Sequence, residues 1–411
     1  MFRVVRRQTL SSRFVHRTTL WQLTIHRLII SAHDLVSRTQ ASDMTASQRK
    51  SAQGKSAQGK STQRKSTRKK TQQRRRGRPP QAVARSRLKI RRPDDLLAII
   101  PYMIGFHPEE DLVTVFIKSD RVKLTMRMDL PPESAGDEVA EWIDALAKRE
   151  RVEALALVAY GAAALPTHRL LTCLMDRLSD HDLTDVLYVG HGRWWSLTCG
   201  EECCPLEGSP YDLTSHPMSA AAVFAGLGVR ATRREVEESV SGPDETDLER
   251  LGARAEALLV ELEQFDDPIA AAELLVSTVD SAIADPSALD ERTCLLLGLL
   301  VADIHVRDLA WARIRPSDAE EHVRLWGSVV SHVPPALAAA PLCLLGIAAW
   351  IAGHGALLNC CCERVSQIHP HYSMGRLLSD ISARAVPPSI WHEIKDGMQA
   401  ELDAKRALLA G

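Results

Sequence analysis

The sequence predicts a mixed-sheet α/β domain in the order α-β-β-α-β-α-β-β, followed by an all-α helical domain and preceded by a disordered basic N-terminal arm. Three observations carry this. Between Val122 and Leu130 apolar residues alternate strictly with polar ones, the period of a strand buried on one face. Ala154–Tyr160 is a continuous apolar run, as a strand covered on both faces requires. From Asp247 onward the apolar period becomes 3.6 and stays there. The expected boundaries are 1–87 for the arm, 88–240 for the α/β domain and 245–400 for the helical domain.

The elements follow in order. Asp94 and Asp95 open a helix whose apolar residues, Leu96, Leu97, Ile99 and Ile100, run up to Pro101. Leu112–Lys118 is a strand that turns at Ser119-Asp120 into the alternating segment, which makes a hairpin. Ser134, with Asp137 three residues on, is expected to cap a helix with Val139, Trp142, Ile143 and Leu146 on its apolar face. After the buried strand, Thr167 is expected to start a helix with Leu170, Leu171, Leu174, Met175 and Leu178 turned inward. Val186–Val189 and Trp194–Leu197 flank Gly190-His191-Gly192 as a second hairpin. In the second half, Leu248, Leu251, Ala255, Leu258, Leu259 and Leu262 line a first helix. Others are expected around 269–283, 289–301, 304–313, 317–332, 336–352, 355–367 and 374–384. Pro268, Pro286, Pro316, Pro334-Pro335 and Pro370 fall between these segments or at their starts, where proline is tolerated.

The arm is of a different composition. Residues 51–70 read SAQGK-SAQGK-STQRK-STRKK, with no large apolar residue to offset the entropy of ordering the chain. Residues 1–43 read poorly as protein structure, and Met44 is the expected true start. Through Arg92 the chain carries 25 Lys and Arg against two acids, Asp34 and Asp43; residues 93–411 carry 26 bases and 50 acids. The net charge of −1 therefore hides a basic arm on an acidic body, and an anionic partner for the arm is expected. Docking of the arm on the body is the alternative.

No secretory signal precedes the nine cysteines, since Gln22, His26 and Arg27 interrupt the apolar stretch Leu20–Ile30. Free thiols in a reducing cytoplasm are expected. Ala336–Ala352 is uncharged over 17 residues, but Pro341 and Gly346 interrupt it, and a buried helix is expected there instead of a membrane span.

Several motifs resemble chemistry. Gly54-Lys55-Ser56-Ala57-Gln58-Gly59-Lys60-Ser61 matches the phosphate-loop pattern. It lies inside the polar repeat, however, without the strand and helix that would aim its amides at a phosphate. Arg76-Gly77-Arg78-Pro79, preceded by Arg74 and Arg75, resembles the core of an AT-hook. Glycine admits the backbone to the minor groove, arginines enter the narrow electronegative groove of AT-rich DNA, and proline holds the chain extended. An arginine-rich tail also yields this tetrapeptide without groove preference, so DNA or another polyanion is the expected partner. Cys199, Cys203 and Cys204 group in one loop, and zinc would need a fourth ligand from His191 or His216. Structural thiols and a redox or disulfide role are the other two readings, and Glu201 and Glu202 disfavour reactive thiolates. His107-Pro108-Glu109-Glu110-Asp111 gathers an imidazole and three carboxylates, suited to acid/base or metal work or to a solvated capping loop. Cys360–Cys362 falls at helical spacing in an apolar stretch and reads as core, and His369-Pro370-His371 reads as a helix-start loop. The sequence contains no GxSxG elbow, no HExxH and no Rossmann glycine pattern after a strand.

Beyond these motifs, the blocks Asp94-Asp95-Leu96-Leu97, Pro101, Gly105-Phe106-His107-Pro108 and Asp111-Leu112-Val113 succeed one another in a specific order. So do Arg127-Met128-Asp129-Leu130-Pro131 and then Arg193-Trp194-Trp195-Ser196 with Cys199 and Cys203-Cys204-Pro205. The helical half adds Arg307-Asp308, Ala349-Trp350, Gly353-His354-Gly355-Ala356-Leu357 and Pro370-His371-Tyr372-Ser373. Together, over about residues 88–395, they resemble an actinobacterial family, domain of unknown function 4192. The resemblance implies a cytoplasmic protein with an α/β part and a helical part, transfers no catalytic residue, and does not include the arm.

The functional expectation is a non-enzymatic binding protein whose arm contacts nucleic acid, with no cofactor and no membrane. One alternative is an enzyme with a site between the two parts, built from His107, Asp111, Cys199, Cys203 and Cys204. Another is an interaction scaffold whose arm is incidental.

Overall fold

A computed structural model describes residues 88–199, 205–225, 227–262 and 268–392. The expected arm, 1–87, lies outside the described residues, and residues 86–384 form one compact unit.

The unit begins with helix α1, Pro93–Ile104. Asp95 accepts the backbone N–H groups of Arg91 and Arg92 at 3.0 and 3.2 Å, which fixes the start that the sequence indicated. The helix does not stop at Pro101 but continues through it, with Pro101 buried, to a left-handed Gly105. Strands β1, Asp111–Lys118, and β2, Arg121–Asp129, pair antiparallel through the two-residue turn Ser119-Asp120. Both turn residues have positive φ, 50° and 55°, the geometry that matches the twist of a tight hairpin.

Ser134 does not cap the next helix. It sits in a 3-10 turn, Glu133–Ala135, and helix α2, Gly136–Glu150, comes next without a side-chain cap. Strand β3, Ala154–Tyr160, is buried along its whole length. Helix α3 spans Ala164–Arg177 and so begins one turn earlier than Thr167, whose hydroxyl bonds back to the Ala163 carbonyl at 2.7 Å. Strand β4, Asp182–Gly190, pairs parallel with β3, and α3 supplies the crossover. A second two-residue turn, His191-Gly192, leads to β5, Arg193–Ser196, and the short β6, Ser209–Pro210, closes that side.

The order across the sheet is β2-β1-β3-β4-β5-β6. Only β3 and β4 are parallel, so the mixed sheet is as expected, with β6 added. Helices α2 and α3 pack on each other, with α3 against β3 and β4.

Two short helices without a signal in the sequence pattern, α4 (Pro217–Phe224) and α5 (Arg233–Glu238), then connect to the helical part. That part comprises α6 (Glu245–Leu262), α7 (Pro268–Ala284), α8 (Glu291–Leu300), α9 (Ile304–Arg313), α10 (Ala319–His332), α11 (Pro335–Ala352), α12 (Gly355–Ile368) and α13 (Ser373–Ala383). Their starts are encoded locally. Asp290 accepts the Thr293 N–H at 2.8 Å, and Asp303 accepts those of His305 and Val306 at 2.8 and 3.2 Å. Helix α11 is the helix, among the described residues, long and apolar enough to cross a membrane. It is instead mostly buried, packed by α8, α9, α10, α12 and α13. Gly346 at its centre lets Leu378, Cys361 and Leu358 approach within 3.0–3.6 Å of where a Cβ would lie.

Candidate functional site

Register places the polar groups. Asp111, the first residue of β1, lies opposite Asp129 of β2 and opposite Tyr160, the last residue of β3. Tyr160 is in turn level with Val189 near the end of β4. The Glu109–Asp111 segment therefore meets the carboxyl ends of the two parallel strands, the position where α/β sheets commonly hold ligands.

Asp111 is only 3% exposed and forms an ion pair with Arg127, which also reaches Asp129 at 2.7 Å and lies over the Phe106 ring at 5.4 Å. Asp111 also accepts the Glu109 N–H at 3.2 Å. Burial pushes its carboxyl above the ordinary range, and the Arg127 guanidinium only partly opposes that. His107 is held by its backbone, whose N–H donates to the Arg230 carbonyl at 3.2 Å, and the adjacent Phe106 bridges to Arg230. Glu110 accepts the Ala162 N–H at 2.7 Å.

Around these carboxylates stands a group of aromatic side chains. Tyr188 stacks on Trp195 with centroids 5.2 Å apart, and His168 meets its edge at 4.9 Å. Tyr160 and Tyr211 meet edge to face at 6.3 Å. Burial pushes the Tyr211 hydroxyl up to about 12 and that of Tyr160 well above its ordinary value, so neither is an acid near neutral pH. The Tyr188 hydroxyl donates to the Gly161 carbonyl at 3.1 Å. Gly190 is required beside it, because a Cβ there would fall on that hydroxyl and 2.7 Å from the same carbonyl oxygen.

The cysteine loop is not part of this constellation. Strand β5 runs antiparallel to β4 from Gly190 back toward Val186, and the Leu197 N–H donates to the Val186 carbonyl at 2.8 Å. Cys199 thus lies beyond Val186, toward the opposite end of the sheet from Asp111. At about 3.3 Å per residue this is on the order of 15 Å along the strands. Cys199 itself is therefore not brought to the Asp111 end of the sheet. Cys199 is disulfide-bonded, which overturns the expectation of a free thiol at that position. Cys203 and Cys204 lie outside the described residues, as do Arg74, Arg75, Arg76, Gly77, Arg78 and Pro79. His216 is committed elsewhere: its Nδ1 accepts the Met218 N–H at 3.2 Å and caps α4.

Two further clusters lie in or beside the helical part. Arg307 is 3% exposed; it donates to Asp308 at 3.0 and 2.6 Å and to the Tyr372 hydroxyl at 2.9 Å, and its guanidinium lies 5.6 Å from the Tyr372 ring centroid. Burial raises the Asp308 carboxyl despite Arg307. His369 packs on Tyr372 at 5.4 Å, and His371 accepts from Arg376 at 2.8 Å, so the His369-Pro370-His371 segment closes a loop between α12 and α13.

Glu237, Cys360 and Glu363 bring three potential metal-ligand atoms within 4.8 Å of one another. Arg233 already occupies the carboxylates, however, at 2.8 Å from Glu237 and 2.9 Å from Glu363. Burial holds the Cys360 thiol up to about 11. A cation there would have to displace a guanidinium and deprotonate a reluctant thiol, so the cluster reads as an ion pair joining α5 to α12.

Two depressions of the described surface lie away from the strand ends. One of about 220 Å³ is lined by Ser277, Thr278, Ser281, Ala288 and Thr293. The other, of about 180 Å³, lies between α2 and α3, where Arg177 clasps Asp137 with bonds of 2.8 and 3.0 Å.

The fold and these clusters define an α/β sheet part with an appended helical part, in which buried ionic groups fasten elements together. The block order noted in the sequence is matched at the level of family. The chain belongs to the family Domain of unknown function (DUF4192), whose sequence model matches residues 93–389. No curated protein and no solved structure matches the chain.

Proposed function

We propose that the chain is a non-enzymatic binding protein of the cytoplasm. Its basic arm, centred on Arg74, Arg75, Arg76, Gly77, Arg78 and Pro79, contacts DNA, with AT-rich minor grooves preferred. The observation that carries this reading is the charge partition: 25 bases against two acids through Arg92, and 26 bases against 50 acids thereafter. Field strength of that sign and density draws phosphate backbones and releases their counterions. Within the body several carboxylates are taken up in ion pairs: Asp111 with Arg127, Asp308 with Arg307, Glu237 and Glu363 with Arg233.

The test is fluorescence anisotropy of AT-rich and GC-rich duplexes with the full chain. A full-length variant with Arg74, Arg75, Arg76 and Arg78 replaced by Ala serves as the comparison. The full chain should bind, prefer AT-rich DNA at moderate salt, and lose affinity on the order of 10³-fold between 50 and 200 mM salt. The variant should lose most of that affinity. Equal binding by both proteins would move the contact off Arg74, Arg75, Arg76 and Arg78, and no binding at physiological salt would remove DNA from the reading.

A further inference from the structure

We propose that the outer edge of β2 is an interaction surface for a second copy of this chain, joined by antiparallel pairing of β2 with β2. Strand β2 is nine residues long and stands at one margin of the sheet; among the described residues no strand pairs with its outer side. The opposite margin, β6, has two residues and offers no comparable edge. The Leu130 N–H donates to the Glu110 carbonyl at 2.9 Å, so by alternation Met128, Met126 and Leu124 direct their backbone groups at β1. Thr125, Arg127 and Asp129 direct theirs outward, unused by the sheet. Val122 is 41% exposed, and the Asp129 side chain is 89% exposed.

A free edge of this length is commonly guarded by charge, and the exposed Arg121 and Lys123 guard it against most partners. Against itself, one register escapes. Centring the two-fold on Met126 sets Lys123 opposite Asp129 of the partner strand, and Asp129 opposite its Lys123. Leu124 then faces Met128, Thr125 faces Arg127, and Met126 faces Met126. Centring on Thr125 instead opposes Lys123 to Arg127 twice alongside two Arg121–Asp129 pairs, and centring on Leu124 opposes Arg121 to Arg127. Centring on Arg127 opposes two arginines, and centring on Met128 opposes Arg127 to Asp129 but overlaps only the last three residues of each β2. Opposite charges directly across a ladder stabilise and like charges destabilise, so among registers that overlap more than three residues of β2 the one centred on Met126 alone sets only opposite charges across the ladder. The register shift between Phe116 and Ile117 leaves Lys123 as the extra residue of β2. It lies at the end of the new ladder, where a bulge frees its side chain to reach Asp129 without interrupting the pairing of Thr125 with Arg127.

Sedimentation equilibrium of the full chain, up to about 100 µM, tests this. The wild-type chain should be a dimer at the upper concentrations. Lys123→Asp alone and Asp129→Lys alone should each weaken the dimer by about tenfold or more, because each places like charges across both ends of the ladder. Mixed one to one, the two variants should recover dimer, because every end pair is again of opposite sign. This recovery separates a lost contact from a misfolded variant, and circular dichroism melts of each variant confirm the fold. A wild-type chain that stays monomeric, a dimer indifferent to both substitutions, or a mixture that fails to recover would each overturn the proposal.

Discussion

Replacing Arg127 by Met isolates the cost of the buried ion pair at the carboxyl end of the sheet. The substitution keeps an unbranched apolar side chain but removes the guanidinium that lies over Phe106 and pairs with Asp111, whose side chain is almost fully buried. Breaking a buried pair from one side costs about 3–5 kcal/mol, because a charge is left without its partner. Arg127 keeps 16% exposure of its side chain, which sets the expectation at the lower end, about 3 kcal/mol. Unfolding entropy near 2.1 cal/mol/K per residue over a unit of about 300 residues converts this to a fall in Tm of about 5 °C. The exposed contact to Asp129 adds little.

The pH dependence has a definite sign. Burial already raises the folded Asp111 pKa above its unfolded value, and removing Arg127 takes away the main opposing influence. Between the unfolded and folded values the native state binds the extra proton, so stability falls as pH rises through that window. The deficit of the variant should therefore be largest at neutral pH and shrink on acidification, as measured by melts between about pH 5 and 7.5. Asp111→Leu combined with Arg127→Met removes both charges and should recover most of the loss. A single variant that melts within about 1 °C of wild type at neutral pH, or a double variant as impaired as the single, would refute the reasoning.

Two other expectations rest on the packing. Gly190→Ala drives a methyl group onto the Tyr188 hydroxyl and the Gly161 carbonyl, and should cost about 2–3 kcal/mol in chemical denaturation. Adding Tyr188→Phe should return part of that cost, whereas no gain would mean the backbone and not the hydroxyl sets it. Thiol labelling of the native chain at about pH 8, read by mass spectrometry, should leave Cys294, Cys343, Cys360 and Cys361 unmodified until denaturant is added. Burial pushes Cys294 up to about 12 and Cys360 to about 11; rapid native labelling at either would contradict that environment.

The elements legible in the sequence were those whose signal is local or periodic. The β1–β2 hairpin announced itself through alternation and a turn at Ser119-Asp120, and the helical half through its 3.6-residue apolar period. Alternation also misled, because it assigned Arg127 to a solvent face that Phe106 in fact covers. Nothing local to residues 121–129 encodes that cover, which arrives through the Gly105–His107 segment and its backbone pairing with Arg230. The same limit applies to Arg307, whose partner Tyr372 lies 65 positions away on the far side of three helices. Ser134 failed as a cap because Pro132 and Glu133 draw it into a 3-10 turn. Cys199 does not join the histidine–carboxylate segment, and the reason is topological. Both adjoin strands of one sheet, but β5 runs back along β4 and carries Cys199 to the other end of it.

The electrostatic division of the chain then constrains what each part can bind. In the body the arginines are largely spent on nearby acids: Arg177 on Asp137, Arg233 on Glu237 and Glu363, Arg250 on Asp247 and Glu291, Arg313 on Asp280. Its large acidic excess remains after that pairing, so the field around the body repels polyanions and cannot assist the arm in holding one. On the function proposed above, affinity for phosphate then resides in the arm alone. The same repulsion acts between two bodies brought together at their β2 edges. At physiological ionic strength it is screened beyond a Debye length of about 8 Å, whereas Lys123 and Asp129 would meet at contact distance, inside that length. Local complementarity can therefore prevail over net charge at the sheet edge, while net charge governs what the surface as a whole turns away.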